Sequence, residues 1–440
     1  MNPPAHPALP NRARSHGRNA SGDERRRVAI TRRSTRGPLD ADLDDAQGSV
    51  PDTTQRVLSP TRSESSPLSP QPHDGIPDMP AKDFSFIQDP AAYHVLPASN
   101  IPPPFLNAPN LPSVNSPIDS LLQSGHYRLA AIAAARNIVN AAAPTDYETL
   151  FHLLHIRLAC LCLISEHALA AQESKVLGDL SSTFYRHPLT DTHLVPWDLR
   201  ILVVRLAALG YGEWRKGIMG YYELARECRE NIVKVELEED RKLWRTRLKD
   251  CGIRVANVLV EMGELEGAGR HLNTLSPSHG ASPEEKDILL METLVWLRVG
   301  DTIAAKRCLS AARQTSSSSS NDDIATGALT ALIHLANSDY TPAVTLLQTL
   351  HSHHPADAMI TQNLAVALLY TGQIAEARNL LTELSDTSPP FHSLIFNLST
   401  IYELCTERNR EKKVALSERV AGRKGGEGVG WEVGSADFKL

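Results

Sequence analysis

Residues 331–355 read ALIHLANSDYTPAVTLLQTLHSHHP, and residues 365–389 read AVALLYTGQIAEARNLLTELSDTSP, so the two segments begin 34 positions apart. Both carry, in the same order, an alanine, a bulky residue after a turn, a second alanine, a leucine and a proline. These positions are Ala331, Tyr340, Ala343, Leu347 and Pro355, matched by Ala365, Ile374, Ala377, Leu381 and Pro389. Alanine lets two helices approach closely, leucine fills the space between units, and proline ends the second helix.

This spacing is typical of the tetratricopeptide repeat, a helix–turn–helix unit of about 34 residues. Weaker copies precede it: Gly300 and Gly263 are each followed by a small residue at the equivalent place, and Gly212 and Gly125 indicate further turns. We predict an all-α, tetratricopeptide-repeat helical solenoid with five to seven units. A generic helical bundle with chance spacing is the alternative, and the five coincident positions disfavour it.

Composition divides the chain near residue 117, because 20 of the 29 prolines lie at or before Pro117. We predict a long disordered region over residues 1–117, the solenoid over residues 118–421, and a flexible C-terminal tail over residues 422–440. Such a proline-rich segment buries too little apolar surface to offset the entropy of ordering. Residues 84–111 are a candidate docking segment, since Phe86, Tyr93 and Phe105 either pack along the solenoid or form a recognition segment. A chain beginning near Pro103 is therefore expected to fold.

Charge and hydropathy exclude several classes of protein. The chain has 45 basic and 51 acidic residues, which argues against nucleic acid as a partner. The longest apolar stretch, residues 150–164, contains His152, His155 and Arg157 and is too short to span a bilayer. No signal peptide is expected, and six cysteines without paired spacing predict reduced thiols.

Residue patterns that carry chemistry are weak in this sequence. Cys160 and Cys162 have no second pair at zinc spacing, and they lie in an apolar helical run. His351, His353 and His354 could ligate a metal, but their place before Pro355 suits the end of a helix. No phosphate-binding loop or catalytic motif is found. We predict no catalytic residue, no cofactor and no metal, and hence a protein that is not an enzyme.

Two further features have alternative interpretations. Residues 213–250 contain 19 charged residues of mixed sign, which indicates a solvated helix face, with a docking surface as the alternative. Trp214, Trp244 and Trp296 are expected to fill the core. Trp197 follows Pro196 at a helix start, so it could fill the core or be an exposed anchor.

The inner face of the first helices is the candidate partner-binding surface. In the proposed register, apolar residues of three consecutive units share this face: Leu290, Leu294, Leu297, Leu332, Leu335, Val366 and Leu369. We name these seven residues the first-helix face. An apolar surface of this extent usually marks a partner site. Internal filling, by tight curling of the helices or by the segment between Phe86 and Phe105, is the alternative.

Four stretches resemble one family of repeat proteins, subunit twelve of the trafficking protein particle (TRAPP) complex. They read VPWDLRIL at residues 195–202, LWRTRL at residues 243–248, NLAVALLYTG at residues 363–372 and FNLSTIYEL at residues 396–404, the last continuing through KKVAL to Val420-Ala421-Gly422. The resemblance covers roughly residues 118–440. The serine run Ser316–Ser320 and the glycine-rich residues 422–430 depart from the family.

This resemblance implies a non-catalytic scaffold subunit of a complex in ER-to-Golgi and Golgi traffic. That complex acts as a vesicle tether and as an exchange factor for Rab GTPases. Its other subunits would be direct partners, with Rab GTPases and vesicle membranes as indirect ones, and the subunit would be cytoplasmic and peripherally associated with Golgi or ER–Golgi membranes. The alternative is a co-chaperone or adaptor that binds a peptide. The apolar first-helix face disfavours a carboxylate clamp, which needs cationic side chains.

The register predicts unequal costs at two neighbouring positions. Ala365 faces a packed helix, so Ala365→Leu should destabilise the fold by about 1–3 kcal/mol through overpacking. Gln373 lies in the turn, so Gln373→Ala should change the free energy of unfolding by less than about 0.5 kcal/mol. Chemical denaturation of both variants measures the difference. Equal effects would reject the register.

Overall fold

The computed structural model describes residues 82–140, 142–276, 283–314, 320–424, 428 and 430–440. Within these ranges the chain is helical, with no strand beyond one isolated bridge between Arg186 and His193. The disorder predicted for residues 1–81 and most of the predicted serine loop lie outside the described residues.

The described residues contain seventeen α-helices, and four short 3₁₀ helices at Ser85–Gln88, Pro90–Ala92, Lys175–Leu177 and Thr183–Tyr185. The α-helices are α1 (Pro103–Leu106), α2 (Ile118–Gln123), α3 (Tyr127–Asn140), α4 (Tyr147–Leu163), α5 (His167–Ser174), α6 (Trp197–Tyr211), α7 (Trp214–Lys234), α8 (Glu238–Met262), α9 (Leu265–Leu275), α10 (Pro283–Val299), α11 (Thr302–Gln314), α12 (Ser320–Ala336), α13 (Tyr340–His353), α14 (Ala358–Tyr370), α15 (Ile374–Thr387), α16 (His392–Cys405) and α17 (Asn409–Ala421).

Helices α2 to α17 form eight consecutive helix pairs in the described part of the chain, and each helix packs against the next one. This arrangement is the predicted all-α solenoid of tetratricopeptide-repeat type, so the fold class is confirmed. Eight pairs exceed the predicted five to seven because the turn between α4 and α5 carries no glycine. There, Ser165 takes the left-handed conformation, with φ 65°, that glycine takes in most of the other turns.

A recurring hydrogen bond closes the turns inside the pairs. A backbone amide two or three residues past the helix donates to a carbonyl five residues earlier, as from Gln373 to Leu368 at 2.9 Å and from Asp339 to His334 at 2.9 Å. The same bond joins residues 126 and 121, 166 and 161, 264 and 259, and 301 and 296. It satisfies a carbonyl at the helix end and requires a left-handed residue in between.

The 34-residue register is confirmed by burial. The four alanines of the register, Ala331, Ala343, Ala365 and Ala377, are fully buried, as are Leu347 and Leu381. The second helices α13 and α15 begin at Tyr340 and Ile374 and end two residues before Pro355 and Pro389. The quoted repeat therefore fixes both the helix boundaries and the buried side of each helix.

Residues 82–111 differ from the disorder expected there, because residues 82–96 pack along the first repeats and Phe105 packs in the cluster of the last ones. Phe84 is fully buried, with its ring 5.2 Å from that of Phe151 and 5.3 Å from that of Phe184. Ile87 and Leu96 are buried in the same cluster. Composition alone underestimates the order of this segment, because a few well-spaced apolar side chains can pack into a groove formed by other helices.

A buried ion pair fastens this N-terminal segment to three helices. Arg157 of α4 makes two hydrogen bonds to Glu173 of α5, at 2.9 and 2.7 Å. The same guanidinium donates to the carbonyl oxygens of Ala131 in α3 and His94 in the segment. Glu173 accepts from the His94 amide at 2.9 Å. Both charges are thus fully paired, which burial requires.

The C-terminal residues also differ from the flexible tail expected over residues 422–440. Phe438 is fully buried and its ring lies 5.9 Å from that of Phe105. The Ser435 amide donates to the Asn100 carbonyl, and the Gly430 amide donates to the Ser124 carbonyl, both at 2.8 Å. The last residues therefore cover the end of the array and also contact its beginning.

The turn geometry predicts opposite effects at two equivalent positions. Gly372 has φ 82° with open space around it, so Gly372→Ala should destabilise the fold by about 1 kcal/mol through backbone strain alone. Ser338 has φ 63°, so Ser338→Gly should stabilise it by up to about 1 kcal/mol. Denaturation midpoints measure both. Shifts in the same direction would contradict the shared turn.

The N-terminal packing predicts a difference between two truncated chains. A chain that begins at Pro103 loses the buried side chains of Phe84, Ile87 and Leu96. Relative to a chain that begins at Lys82, it should lose at least about 3 kcal/mol of stability. Thermal unfolding of the two chains measures the difference. Equal melting temperatures would restore the expectation that this segment is dispensable.

Candidate partner-binding surfaces

The first-helix face divides between two apolar clusters. Leu290 and Leu297 of α10 and Leu332 of α12 are half-buried against Leu309 and Leu329. The other cluster, centred on α14 and α15, takes up Leu335 and Leu369. Five of the seven predicted residues therefore pack against the core of the array. The regular spacing of these residues therefore reflects packing within and between repeats as well as a shared helix face.

Leu294 is the most exposed residue of the first-helix face, at 49%. Val366 is half-buried, and Met291 lies exposed one turn before Leu294 on α10. Further along, Tyr340 and Tyr370 stack in parallel with their ring centroids 5.1 Å apart, and Tyr370 is exposed. An open apolar and aromatic surface thus remains at Leu294 and at this tyrosine pair.

The cysteine pair on α4 has the properties of packed thiols. Burial raises the pKa of Cys160 to about 12 and the pKa of Cys162 to about 11. A thiol needs to ionise to act as a nucleophile or metal ligand, so both stay protonated at neutral pH. His351 lies 3.1 Å from the Thr361 hydroxyl, and no group of three metal-ligating side chains is found within the described ranges.

Trp197 is half-buried rather than a free anchor. Its ring meets that of Trp244 edge-on at 5.8 Å. The guanidinium carbon of Arg247 lies 5.0 Å from the centre of the Trp197 ring and 4.6 Å from that of Trp244, a distance typical of cation–π contacts. No sequence pattern indicates this cluster, because its members lie on two different helices, α6 and α8.

The consecutive helices α7 and α8, which we call the α7–α8 hairpin, carry several ion pairs between their charged side chains. Glu238 accepts from Arg241 and from Arg245 at 2.6 and 2.8 Å. Asp250 pairs with Arg254 at 2.7 Å, one helical turn away. Such exposed pairs contribute little stability, in keeping with a solvated face.

In the part of the chain that the structure describes, no helix is long and apolar enough to cross a bilayer.

No protein-family model matches the chain. Its similarity to curated proteins includes human trafficking protein particle complex subunit 12, at 26% identity over 62% of this chain and 40% of the relative. The mouse protein of the same name is 25% identical over 64% of this chain and 39% of the relative. The resemblance to TRAPP subunit 12 is confirmed. The chain spans about two fifths of the length of these TRAPP subunits.

Among solved structures, the chain is similar to a tetratricopeptide repeat protein from Parabacteroides merdae. The TM-score is 0.39 at 16% identity, over 62% of this chain and 91% of that one. The fold is assigned from the helix pairs described above, and the relationship to TRAPP rests on the similarity to the two subunit 12 sequences.

Proposed function

We propose that this protein is a non-catalytic scaffold subunit of a TRAPP-type complex, which tethers vesicles and promotes Rab exchange in ER-to-Golgi and Golgi traffic. The observation that carries the proposal is its similarity to subunit 12 of human and mouse TRAPP. Because the chain spans about two fifths of those relatives, the role of the whole relative is part of the proposal.

The architecture supports a role in assembly. Stacked helix pairs present long side surfaces, and such arrays bind partners along them. Other subunits of the complex are the direct partners under this proposal, and Rab GTPases and vesicle membranes are reached through them. The protein is then cytoplasmic and held peripherally at Golgi or ER–Golgi membranes.

Affinity purification of the full-length protein from its own cells tests the proposal. Stoichiometric trafficking subunits are the expected partners. Recovery of heat-shock chaperones in their place would favour the co-chaperone alternative, and recovery of neither would overturn the scaffold role.

The first-helix face supplies a sharper prediction. Leu294→Glu should leave the fold intact, because Leu294 is half exposed, but it should prevent co-purification of the other subunits. Leu335→Glu should instead lower the stability by at least about 2 kcal/mol, because it places a charge in an apolar cluster. Thermal unfolding and co-purification measure the two effects.

Leu163→Glu is the matched control, since Leu163 on α4 is 48% exposed and lies outside the first-helix face. It should leave both stability and co-purification unchanged. A folded Leu294→Glu protein that still recovers every subunit would show that this face is not the interface.

A further inference from the structure

The α7–α8 hairpin extends beyond the next helix of the array. Helix α8 has 25 residues, whereas α9 has 11. Leu275, the last residue of α9, lies against Gly252 in the middle of α8, where an added Cβ would be 2.8 Å from its side chain. His271 Nε2 lies 3.0 Å from the Gly252 carbonyl oxygen. The half of α8 before Gly252 and the facing half of α7 therefore project past α9.

A cavity of about 430 Å³ lies at this step between the long hairpin and the short helix. Its apolar lining comes from all three helices: Tyr221 of α7, Leu248 and Val255 of α8, and Leu275 of α9. The exposed ring of Tyr222 stands at its edge. The volume and the apolar lining suit a large aromatic or branched aliphatic side chain, which is stabilised by leaving water.

The charged side chains that line this cavity have one sign. Arg229, Arg245 and Lys249 line it, and no carboxylate does so among the described residues. This contrasts with the hairpin as a whole, where acidic and basic residues alternate. Arg245 pairs with Glu238 at 2.8 Å, but these side chains are 57% and 65% exposed. Such a pair is weak and can be exchanged for another carboxylate.

We propose that this cavity binds an acidic segment of a partner protein. An aromatic or branched aliphatic side chain of the segment packs against the apolar lining, and neighbouring carboxylates pair with Arg229 and Arg245, while Lys249 adds positive charge beside them. Arginine suits this role because its planar guanidinium binds a carboxylate through two hydrogen bonds. Because the complementary charges are confined to this cavity, they contribute to the specificity of binding more than to its affinity.

A protein segment fits this surface better than an anionic membrane does. Glu230, Glu236 and Asp240 are exposed on the same hairpin. A broad lipid surface would meet these carboxylates together with the three cations, and repulsion would offset much of the attraction. A narrow segment meets only the cations that line the cavity.

Fluorescence anisotropy of the isolated full-length protein tests the site. The probe is a labelled peptide, acetyl-Glu-Asp-Phe-Glu-Asp-amide, and binding should weaken as salt is added because ionic strength screens the pairs. A second peptide with Ser in place of Phe should bind at least tenfold more weakly. Equal binding of the two peptides would overturn the role of the apolar lining.

Charge reversal locates the contact. Arg229→Glu, at an exposed position, should weaken binding of the Phe peptide at least tenfold. Arg215→Glu is the matched control on α7, because Arg215 is exposed, lies outside the cavity and is about 21 Å away along the helix, well beyond the Debye length. It should change binding less than twofold. Equal losses would indicate general attraction rather than a site and would reject the proposal.

Two further readouts complete the test. Circular dichroism melting establishes that each variant is folded, and if Arg229→Glu is not, Arg245→Glu should show the same tenfold loss. Vesicles of phosphatidylserine and phosphatidylcholine that bind through Arg229, without any peptide binding, would replace the protein partner by a membrane. The assay uses no other subunit, so its failure and a failure of the scaffold role are separate results.

Discussion

The close approach of helices at buried alanines is the constraint on which the whole array depends. Ala331, Ala343, Ala365 and Ala377 are fully buried at the contacts of two consecutive pairs. A larger side chain at any of them would push its helix away and break the stacking on both sides. Because one helix pair cannot bury its apolar faces alone, each pair is stable only between neighbours. The small size of the alanine side chain thus links the local sequence to the cooperative stacking of the helix pairs.

An array of this kind leaves apolar surface exposed at its ends, and the chain covers these ends with its own flanking segments. The N-terminal segment inserts Phe84 among the aromatic rings of the first repeats, and the C-terminal residues place Phe438 against Phe105 near the last helix. The buried pair of Arg157 and Glu173 fixes the path of the N-terminal segment. A buried ion pair adds little net stability, but a misplaced partner would leave a charge unpaired, so it favours one arrangement.

The repeat register and the fold class could be predicted because they rest on local patterns. The extra pair α4–α5 was missed because Ser165 performs the turn that glycine marks elsewhere. The packing of residues 82–111 stayed one of two alternatives at the sequence level, because its few apolar residues have no period and the groove that receives them is built by distant residues. For the candidate surface, the sequence pattern placed seven apolar residues on one side of α10, α12 and α14, but it could not indicate which of them stay exposed.

The sequence by itself determined the helical hairpins, their turns and their buried alanines, since each depends on residues within about one repeat of 34 positions. Only the tertiary structure decided that Leu294 is half exposed while Leu335 is packed, because exposure depends on what neighbouring helices bring to each position. It also decided that a cationic cavity opens beside α8. That cavity exists because three helices of unequal length meet there, and their relative positions are set by packing rather than by any local pattern.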